Sequence, residues 1–250
     1  MKVTLIAISL LFNFIALSLF GFFIYQKGGI AYLNEKIIQT RGLTLSSWFN
    51  PPHTSEKTRD SKTLKLLSPE TDKGRPLMKV LNERQSERKF SDKVLSLQEL
   101  SNLLWAADGI TRKDGRRTAP SFRNVQEFDI YNIMQDGIYL YEQKSNQLTL
   151  IGEGDYRKNA GLDAYVATAP VNLIYVADLS KINWTTDETA KMLIASLDAG
   201  FIAQNVALFC TSEGLISVPR HSIDKDSLSK VLKLRPEQRI ILGTTVGYPK

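Results

Sequence analysis

The sequence is poor in the side chains that perform hydrolytic and metal-dependent chemistry. Cys210 is the single cysteine, so neither an intrachain disulfide nor a cysteine-based zinc site can form. The two histidines, His53 and His221, are far apart, and no serine stands in a nucleophile-elbow pattern. These shortages count against most hydrolases and metalloenzymes, and they favour chemistry performed by a bound cofactor.

Long blocks of basic residues are also missing, although the net charge is +6. Nucleic-acid binding needs a concentrated basic stripe, so we predict that the protein does not bind nucleic acid. A dinucleotide-binding loop is missing as well, because Gly152-Glu153-Gly154 lacks the third glycine and the following helix. A nicotinamide cofactor would therefore have to dock over another cofactor, without a domain of its own.

A long apolar run is present at the N-terminus. The run from Val3 to Tyr25 is long enough, at about 1.5 Å per residue, to cross a bilayer core of about 30 Å. We predict that residues 1–27 form a membrane segment, as an uncleaved anchor in preference to a cleaved signal peptide, whose apolar run is usually shorter. A buried globular helix is the alternative. Basic residues lie on both sides of the run, so its orientation stays open, with the extracytoplasmic side favoured for the domain.

The rest of the chain divides into a linker and a compact domain. Residues 28–65 contain Pro51-Pro52 and a polar run from Thr54, a composition that predicts an extended linker. Residues 66–250 mix helical and strand patterns without a regular strand–helix–strand repeat, so we predict an α+β domain with a mostly antiparallel sheet. We expect helices over residues 76–87, 96–108, 187–212 and after Asp224, and strands over residues 130–134, 138–141, 148–151, 171–176, 215–218 and 239–246.

Two local patterns give sharper predictions. Ser96 and Glu99 stand in a capping-box pattern, in which each side chain accepts a hydrogen bond from the backbone N–H of the other residue. Gln135-Asp136-Gly137 separates two apolar runs, and we expect a hairpin there in which Gly137 adopts a positive φ.

The first segment with ligand-binding potential carries two arginines. Arg84 and Arg88 are four residues apart, so on a helix they would share a face on which one phosphate group could bind both. Ser86 adds a hydroxyl beside them. The alternative is a solvated helix face on which Arg84 pairs with Glu87.

Two further segments could contact a ligand. Residues 120–126 offer the side-chain amides of Asn124 and Gln126 to a planar ring, and the alternative is an ordinary turn that enters a strand. Ser212-Glu213-Gly214-Leu215 ends the long predicted helix. Gly214 serves there either as a C-cap alone or as a point where backbone N–H groups approach a ligand closely.

Taken in order, these segments resemble the nitroreductase family, and particularly its SagB-like dehydrogenase branch. The resemblance covers about residues 66–250. The matching segments are residues 84–90, 97–109 and 117–121, Asn124 and Gln126, Ala199-Gly200 with Gln204-Asn205, and residues 213–215 and 246–249.

This resemblance implies a homodimer of α+β subunits that binds FMN at two sites between the subunits. The residues implied to hold the phosphate and ribityl end of FMN are Arg84, Gln85, Ser86 and Arg88. The residues implied to lie at the flavin ring are Asn124, Glu213 and Gly214. The residues implied to reach the FMN of the other subunit are Pro120, Ser121 and Phe122.

The implied activity is a ping-pong oxidoreductase that takes electrons from NADH or NADPH and passes them through FMN to a small acceptor, such as a quinone or a nitroaromatic. No side chain is implied as a catalytic acid or base. Two alternatives stay open: an azoline or peptide dehydrogenase of the SagB type, and a membrane-anchored flavin-binding protein without turnover.

The sequence departs from the family pattern in two places. Gln85 stands where a second basic residue is common. The sequence also ends at Lys250, before a Lys-x-Arg pair that helps to bind the phosphate in many relatives. The candidates to replace that pair are Lys250, Arg112, Arg116 and Arg117.

Overall fold

The computed structural model describes residues 63–250. The predicted membrane segment (residues 1–27), together with its alternatives, and most of the predicted linker lie outside the described residues. Thr63–Lys65 form a short strand that pairs with the strand over Gln147–Glu153. These residues belong to the predicted linker, so the folded part of the chain begins before Leu66.

A seven-stranded sheet forms the centre of the domain, and every neighbouring pair of strands in it is antiparallel. The strands are β1 (Thr63–Lys65), β2 (Phe128–Met134), β3 (Gly137–Glu142), β4 (Gln147–Glu153), β5 (Val171–Asp178), β6 (Ile216–Arg220) and β7 (Gln238–Gly247). Their order across the sheet is β1-β4-β3-β2-β5-β7-β6. The predicted α+β class with an antiparallel sheet is confirmed.

Helices cover both faces of this sheet. Within the described residues they are α1 (Leu77–Glu83), α2 (Leu97–Asp108), α3 (Glu188–Ser212) and α4 (Lys225–Leu232). Apolar side chains of α2 and α3, such as Leu104 and Val206, share one core with the strands. Leu228 and Leu232 of α4 belong to a second core. Strand β5 is buried along its whole length, as its continuous apolar sequence predicts.

Helix α3 is 25 residues long and apolar on nearly all sides. Asp187 caps its N-terminus by accepting a hydrogen bond from the Thr189 N–H, and its buried side consists largely of small residues, among them Ala195, Ala199 and Ala203. By length and composition alone α3 could span a membrane. Its packing against α2 and the sheet is that of a core helix.

Two local predictions are wrong. Helix α1 ends at Glu83 and does not continue to residue 87, because the chain beyond it pairs with β6. The hairpin between β2 and β3 forms as predicted, but Gly137 is not among the residues with a positive φ. Gly137 instead permits a close approach, since a Cβ atom there would lie 2.8 Å from the Gly152 carbonyl oxygen.

The predicted capping box forms at the start of α2, and its removal should destabilise the domain. The Glu99 N–H donates to Ser96 Oγ, and the Ser96 N–H donates to Glu99 Oε2. We expect Ser96→Ala to lower the free energy of unfolding by about 1 kcal/mol, whereas Ser96→Asp, which can still cap, should stay close to the wild type. Equilibrium urea denaturation measures both variants. Equal stability of Ser96→Ala and the wild type would contradict the prediction.

Candidate functional site

The segment of residues 84–88 is extended and not helical. Ser86 forms a parallel bridge with Ser217 of β6, and the Glu87 N–H donates to the Ser217 carbonyl at 3.2 Å. In an extended segment, alternate side chains share a side. Gln85 and Glu87 do so, because Gln85 Nε2 donates to Glu87 Oε1 at 2.9 Å. The prediction that Arg84 and Arg88 share one face of a helix is therefore wrong, because the side chains of this segment alternate as they do in a strand.

Arg84, Ser86 and Arg88 are brought to the other side of this segment by the same alternation. Within residues 63–250, neither arginine forms an ion pair and the Ser86 hydroxyl makes no hydrogen bond, so the alternative pairing of Arg84 with Glu87 is not formed. Two guanidinium groups and a hydroxyl on this side are therefore unpaired within the described residues and available to an anion.

The C-terminal residues run beside this segment. The Lys250 N–H donates to the Lys89 carbonyl at 3.0 Å, and Pro249 forms a bridge with Phe90. The Lys250 backbone therefore lies beside the C-terminal end of this segment, at Lys89, which is next to Arg88 in sequence. Arg117, another candidate for that role, is already committed to a buried salt bridge.

Gly214 lies at the end of α3 in a left-handed conformation, with a φ of 72°, and confirms the predicted helix end. Within residues 63–250 its N–H donates to no carbonyl, so this donor is open to a ligand. Glu213 lies one residue earlier and faces a neighbouring groove. The cleft beside Gly214 is lined also by Gln85, Glu87, Leu215 and Pro249. The structure therefore brings together one residue from each of two predicted segments, Gln85 and Gly214.

The 120–126 loop (residues 120 to 126) packs against the middle of α3. The Phe122 N–H donates to Asp198 Oδ2 at 2.8 Å, and the Gln126 N–H donates to Ser121 Oγ at 3.0 Å. Gln126 Nε2 also donates to Asn124 Oδ1 at 3.0 Å. The two amides that the sequence assigns to a ligand ring are therefore bonded to each other in this structure.

Backbone strain is concentrated in the same loop. Arg123, Asn124 and Gln126 have φ values of 53°, 56° and 54°. Non-glycine residues in this left-handed region cost about 1 kcal/mol each, and they persist where the surrounding structure holds them. Strain of this kind often lies at ligand sites.

The predicted site residues form two groups that lie apart in one chain. Asp198, which holds the 120–126 loop, is separated from the end of α3 by about 20 Å, at roughly 1.5 Å per residue. The group at the end of α3 comprises Arg84, Gln85, Ser86, Arg88, Glu213 and Gly214. The group at its middle comprises Pro120, Ser121, Phe122 and Asn124. A site shared between two copies of the chain would need such a division.

Buried carboxyls behind the 120–126 loop were not foreseen from the sequence. Asp108 pairs with Arg117, but burial still raises the pKa of Asp108 to about 7. Glu127, directly before β2, and Asp198, within α3, are both buried. Burial raises the pKa of Glu127 to about 7 and also raises that of Asp198. A signal does exist in the sequence, because an acid such as Asp198 within an apolar helical run is unusual without a partner.

The sequence profile of the nitroreductase family matches residues 81–248. MJ1384 of Methanocaldococcus jannaschii, whose name places it among the nitroreductases, is 28% identical over 166 residues, which are 62% of this chain and 83% of that protein. The fold is similar to that of a nitroreductase-like protein from Ralstonia eutropha JMP134, with a TM-score of 0.71 and 32% identity, covering 79% of this chain and 91% of the other. The NADPH:FMN oxidoreductase of Vibrio harveyi, solved with NAD⁺, shares the fold at a TM-score of 0.52 and 21% identity, covering 70% of this chain and 69% of the other.

Breaking the buried ion pair behind the loop should destabilise the domain strongly. We expect Arg117→Met to cost about 3–5 kcal/mol above neutral pH, because it leaves the Asp108 carboxylate buried without its cation. The loss should shrink as the pH falls toward about 7, because Arg117 lowers the pKa of Asp108, and without it the carboxyl takes up a proton already above about pH 7. Urea denaturation at several pH values measures both effects.

Two matched variants test the cause of that loss. The double variant Asp108→Asn/Arg117→Met removes both charges and should recover most of the stability. Arg116→Met breaks only the exposed pair with Asp114, so it should change the free energy of unfolding by less than about 1 kcal/mol. An equal loss in the Arg116 and Arg117 single variants would contradict the prediction.

Proposed function

The chain belongs to the nitroreductase family and is therefore an oxidoreductase, and we propose that it depends on FMN and delivers electrons to a small acceptor such as a quinone or a nitroaromatic. FMN supplies the hydride chemistry when it is bound, so the task of the protein is to bind and orient it. The observation that carries this proposal is the free donor set of Arg84, Ser86 and Arg88. Two guanidinium groups and a hydroxyl on one side of an extended segment suit a phosphate dianion.

The remaining residues of this group are suited to the flavin end. Gly214 contributes an open N–H that can donate to the polar edge of a flavin ring, and Gln85, whose amide donates to Glu87, lines the same cleft from the side of the segment opposite the arginines. The Lys250 backbone lies beside the arginine segment, so its side chain is our candidate for the additional phosphate contact. No side chain of the cleft is proposed to transfer a proton, because hydride and electrons pass through the cofactor.

The electron donor that we propose is NADH or NADPH. The domain has no dinucleotide-binding motif, so the nicotinamide would dock over the flavin, take the place that the acceptor later occupies, and leave before the acceptor binds. This order corresponds to ping-pong kinetics. The V. harveyi relative is an NADPH:FMN oxidoreductase solved with NAD⁺, which supports the same class of donor here.

We further propose that two copies of the chain form the active dimer. Leu193, Leu197 and Phe201 lie along α3 at intervals of four residues, so they share one face of the helix, and all three are exposed. Phe122, on the adjoining loop, is also exposed. A contiguous apolar face of this kind is what a homodimer buries. The dimer would also allow the 120–126 loop of one subunit to reach the cofactor held at the end of α3 in the other.

Two narrower assignments are part of the proposal. Residues 97–109 and the pair Ala199-Gly200 resemble the SagB-like branch, for which an azoline-containing peptide would be oxidised to the azole and would reduce the flavin in place of NADH or NADPH, with a small acceptor still needed to reoxidise the flavin. Residues 3–25 would anchor the enzyme to a membrane, supported by their length and apolar character. A C-terminal reporter fusion would show the side of the membrane, and a domain outside the cytoplasm would have to use a donor other than NADH or NADPH.

The FMN proposal predicts a yellow protein whose flavin depends on the two arginines. The full-length protein should show a flavin absorption spectrum, and Arg84→Ala or Arg88→Ala should weaken FMN binding about tenfold to a hundredfold, because each removes a charge-assisted hydrogen bond of about 1.5–3 kcal/mol. Lys79→Ala, which removes a positive charge from α1, is the control and should bind FMN like the wild type. Quenching of flavin fluorescence measures the affinities. A folded protein that cannot take up FMN would sink the proposal, and a protein that binds FMN but never turns over would favour the non-catalytic alternative.

The dimer proposal predicts that a charge on the exposed face of α3 separates the subunits. We expect Leu197→Glu to give a folded monomer that has lost most of its FMN affinity, because an ionised carboxylate cannot be buried there without a partner. Leu162→Glu places the same charge at an exposed apolar residue outside α3 and should remain dimeric. Sedimentation velocity of the detergent-solubilised protein distinguishes the two states. A wild-type monomer that binds FMN fully would refute the shared site.

A further inference from the structure

Glu127 and Asp198 form a pair of buried carboxyls at the base of the 120–126 loop. Glu127 has no exposed surface, and within the described residues neither of its carboxyl oxygens accepts a hydrogen bond from an N–H group or a hydroxyl. Asp198 is 3% exposed, and the two carboxyls are near enough that each perturbs the pKa of the other. Two carboxylates cannot both be ionised at such close range in a dry environment, so the pair must retain a proton.

The surrounding charges leave Glu127 without a cation. Asp108 of α2 also bears on it, and Arg117 is engaged in the ion pair with Asp108. Lys181 donates to the Gln126 carbonyl at 3.3 Å, so it lies at the edge of this group and not against the Glu127 carboxyl. The three carboxyls therefore outnumber the one buried guanidinium, which again requires a retained proton.

The hydrogen bonds made by the two carboxyls indicate which of them carries the proton. Asp198 Oδ2 already accepts the Phe122 N–H, and such a bond favours the ionised form of a carboxyl. Within the described part of the chain, the only N–H near the Glu127 carboxyl is that of its own backbone, which is outside hydrogen-bond geometry. The protonated Glu127 can then donate to the ionised Asp198, which satisfies both groups.

We propose that this shared proton fastens the 120–126 loop, so that Glu127 and Asp198 are positioning residues for the FMN site. Asp198 holds the first half of the loop through the Phe122 N–H, and Glu127 directly follows its last residue. The proton therefore joins the two ends of the loop, within which three residues have strained φ values. The inference rests on the proposed function, because the loop matters for activity only if it contacts the flavin.

The direction of the pH effect follows from the raised pKa of Glu127. A carboxyl whose pKa rises from 4.5 to about 7 on folding contributes stability that is present below 4.5 and is lost as the pH rises through about 7. Above that pH, two adjacent carboxylates repel each other at the base of the loop. If FMN binding requires the fastened loop, the dissociation constant of FMN should rise by up to about tenfold per pH unit above about 7.

The test is an FMN titration of the full-length protein between about pH 6 and about pH 9. We expect wild-type affinity to fall as the pH rises. Glu127→Gln keeps a side chain that donates to Asp198 but cannot ionise, so its affinity should be nearly independent of pH. Asp198→Asn removes the repulsion from the other side and should also flatten the profile, which provides a second variant if Glu127→Gln does not fold. Asp129→Asn is the matched control, because Asp129 is a partly buried carboxyl on β2 that bonds to Gln238, and it should show the wild-type profile.

The fluorescence of Trp184 reports on the conformation of the 120–126 loop without requiring FMN. The Phe122 and Trp184 ring centroids are 5.6 Å apart, and the Arg123 guanidinium lies 5.1 Å from the Trp184 ring. The Trp184 emission, obtained by difference from Trp184→Phe, should change through about pH 7 in the wild type and stay constant in Glu127→Gln.

These two measurements separate the two proposals. If neither the FMN affinity nor the Trp184 emission of the wild type changes with pH, the shared-proton proposal is wrong. It is also wrong if Glu127→Gln shows the same pH dependence as the wild type. In both cases the proposal of FMN binding is unaffected. A protein that binds no FMN at any pH would overturn the proposed function, and Trp184 would then decide on the proton alone. A pH-dependent affinity that both pair variants abolish and Asp129→Asn retains supports the proposal.

Discussion

Helix α3 crosses one face of the sheet in 25 residues, and both groups of candidate site residues depend on it. The 120–126 loop is tied to Asp198 near its middle, and Gly214 lies at its end. Because an α-helix has a fixed rise of about 1.5 Å per residue, the distance between these attachments cannot change much. The two groups are therefore held apart within one chain, and in the proposed dimer the second copy would supply the group that the first cannot bring to the ligand.

One side of α3 packs into the core, and the other is the side that we propose contacts a second copy of the chain. Small residues, such as Ala199, face the core and allow close packing, whereas large apolar residues, such as Leu197, remain exposed. Burying an acid in such a helix costs free energy unless the hydrogen bonds of its carboxyl offset that cost. Asp198 is buried at such a cost, and its carboxyl accepts a hydrogen bond from the Phe122 N–H of a strained loop. Under the shared-proton proposal, the conformation of that loop depends on the protonation of the buried pair Glu127 and Asp198.

Local sequence patterns were sufficient for those parts of the fold that local interactions decide. The Ser96 capping box, the β2–β3 hairpin and the bounds of α3 follow from short-range hydrogen bonding and periodicity, and the structure has them. The helical prediction for residues 84–87 failed, although their propensities suit a helix, because pairing with Ser217 supplies the backbone hydrogen bonds instead. The pairing of Glu127 with Asp198 joins residues that are distant in sequence, and only the tertiary packing of α3 against the start of β2 reveals it. The family resemblance already assigns Pro120, Ser121 and Phe122 to the FMN of the other subunit. It groups Asn124 with Glu213 and Gly214, and only the structure shows that Asn124 belongs with the 120–126 loop.

The ion pairs show which basic residues of the chain remain available to an anion. A net charge of +6 says little about where an anion binds, because many cations are already paired. Arg117 neutralises a buried carboxyl, and Arg235 pairs with Asp178. Arg84 and Arg88 instead lie on one side of an extended segment and form no ion pair within the described residues, so both remain available to an anion. Under the proposed function a phosphate would satisfy both guanidinium groups, so these two arginines, more than the overall charge, are our candidates for selecting a phosphate-bearing cofactor.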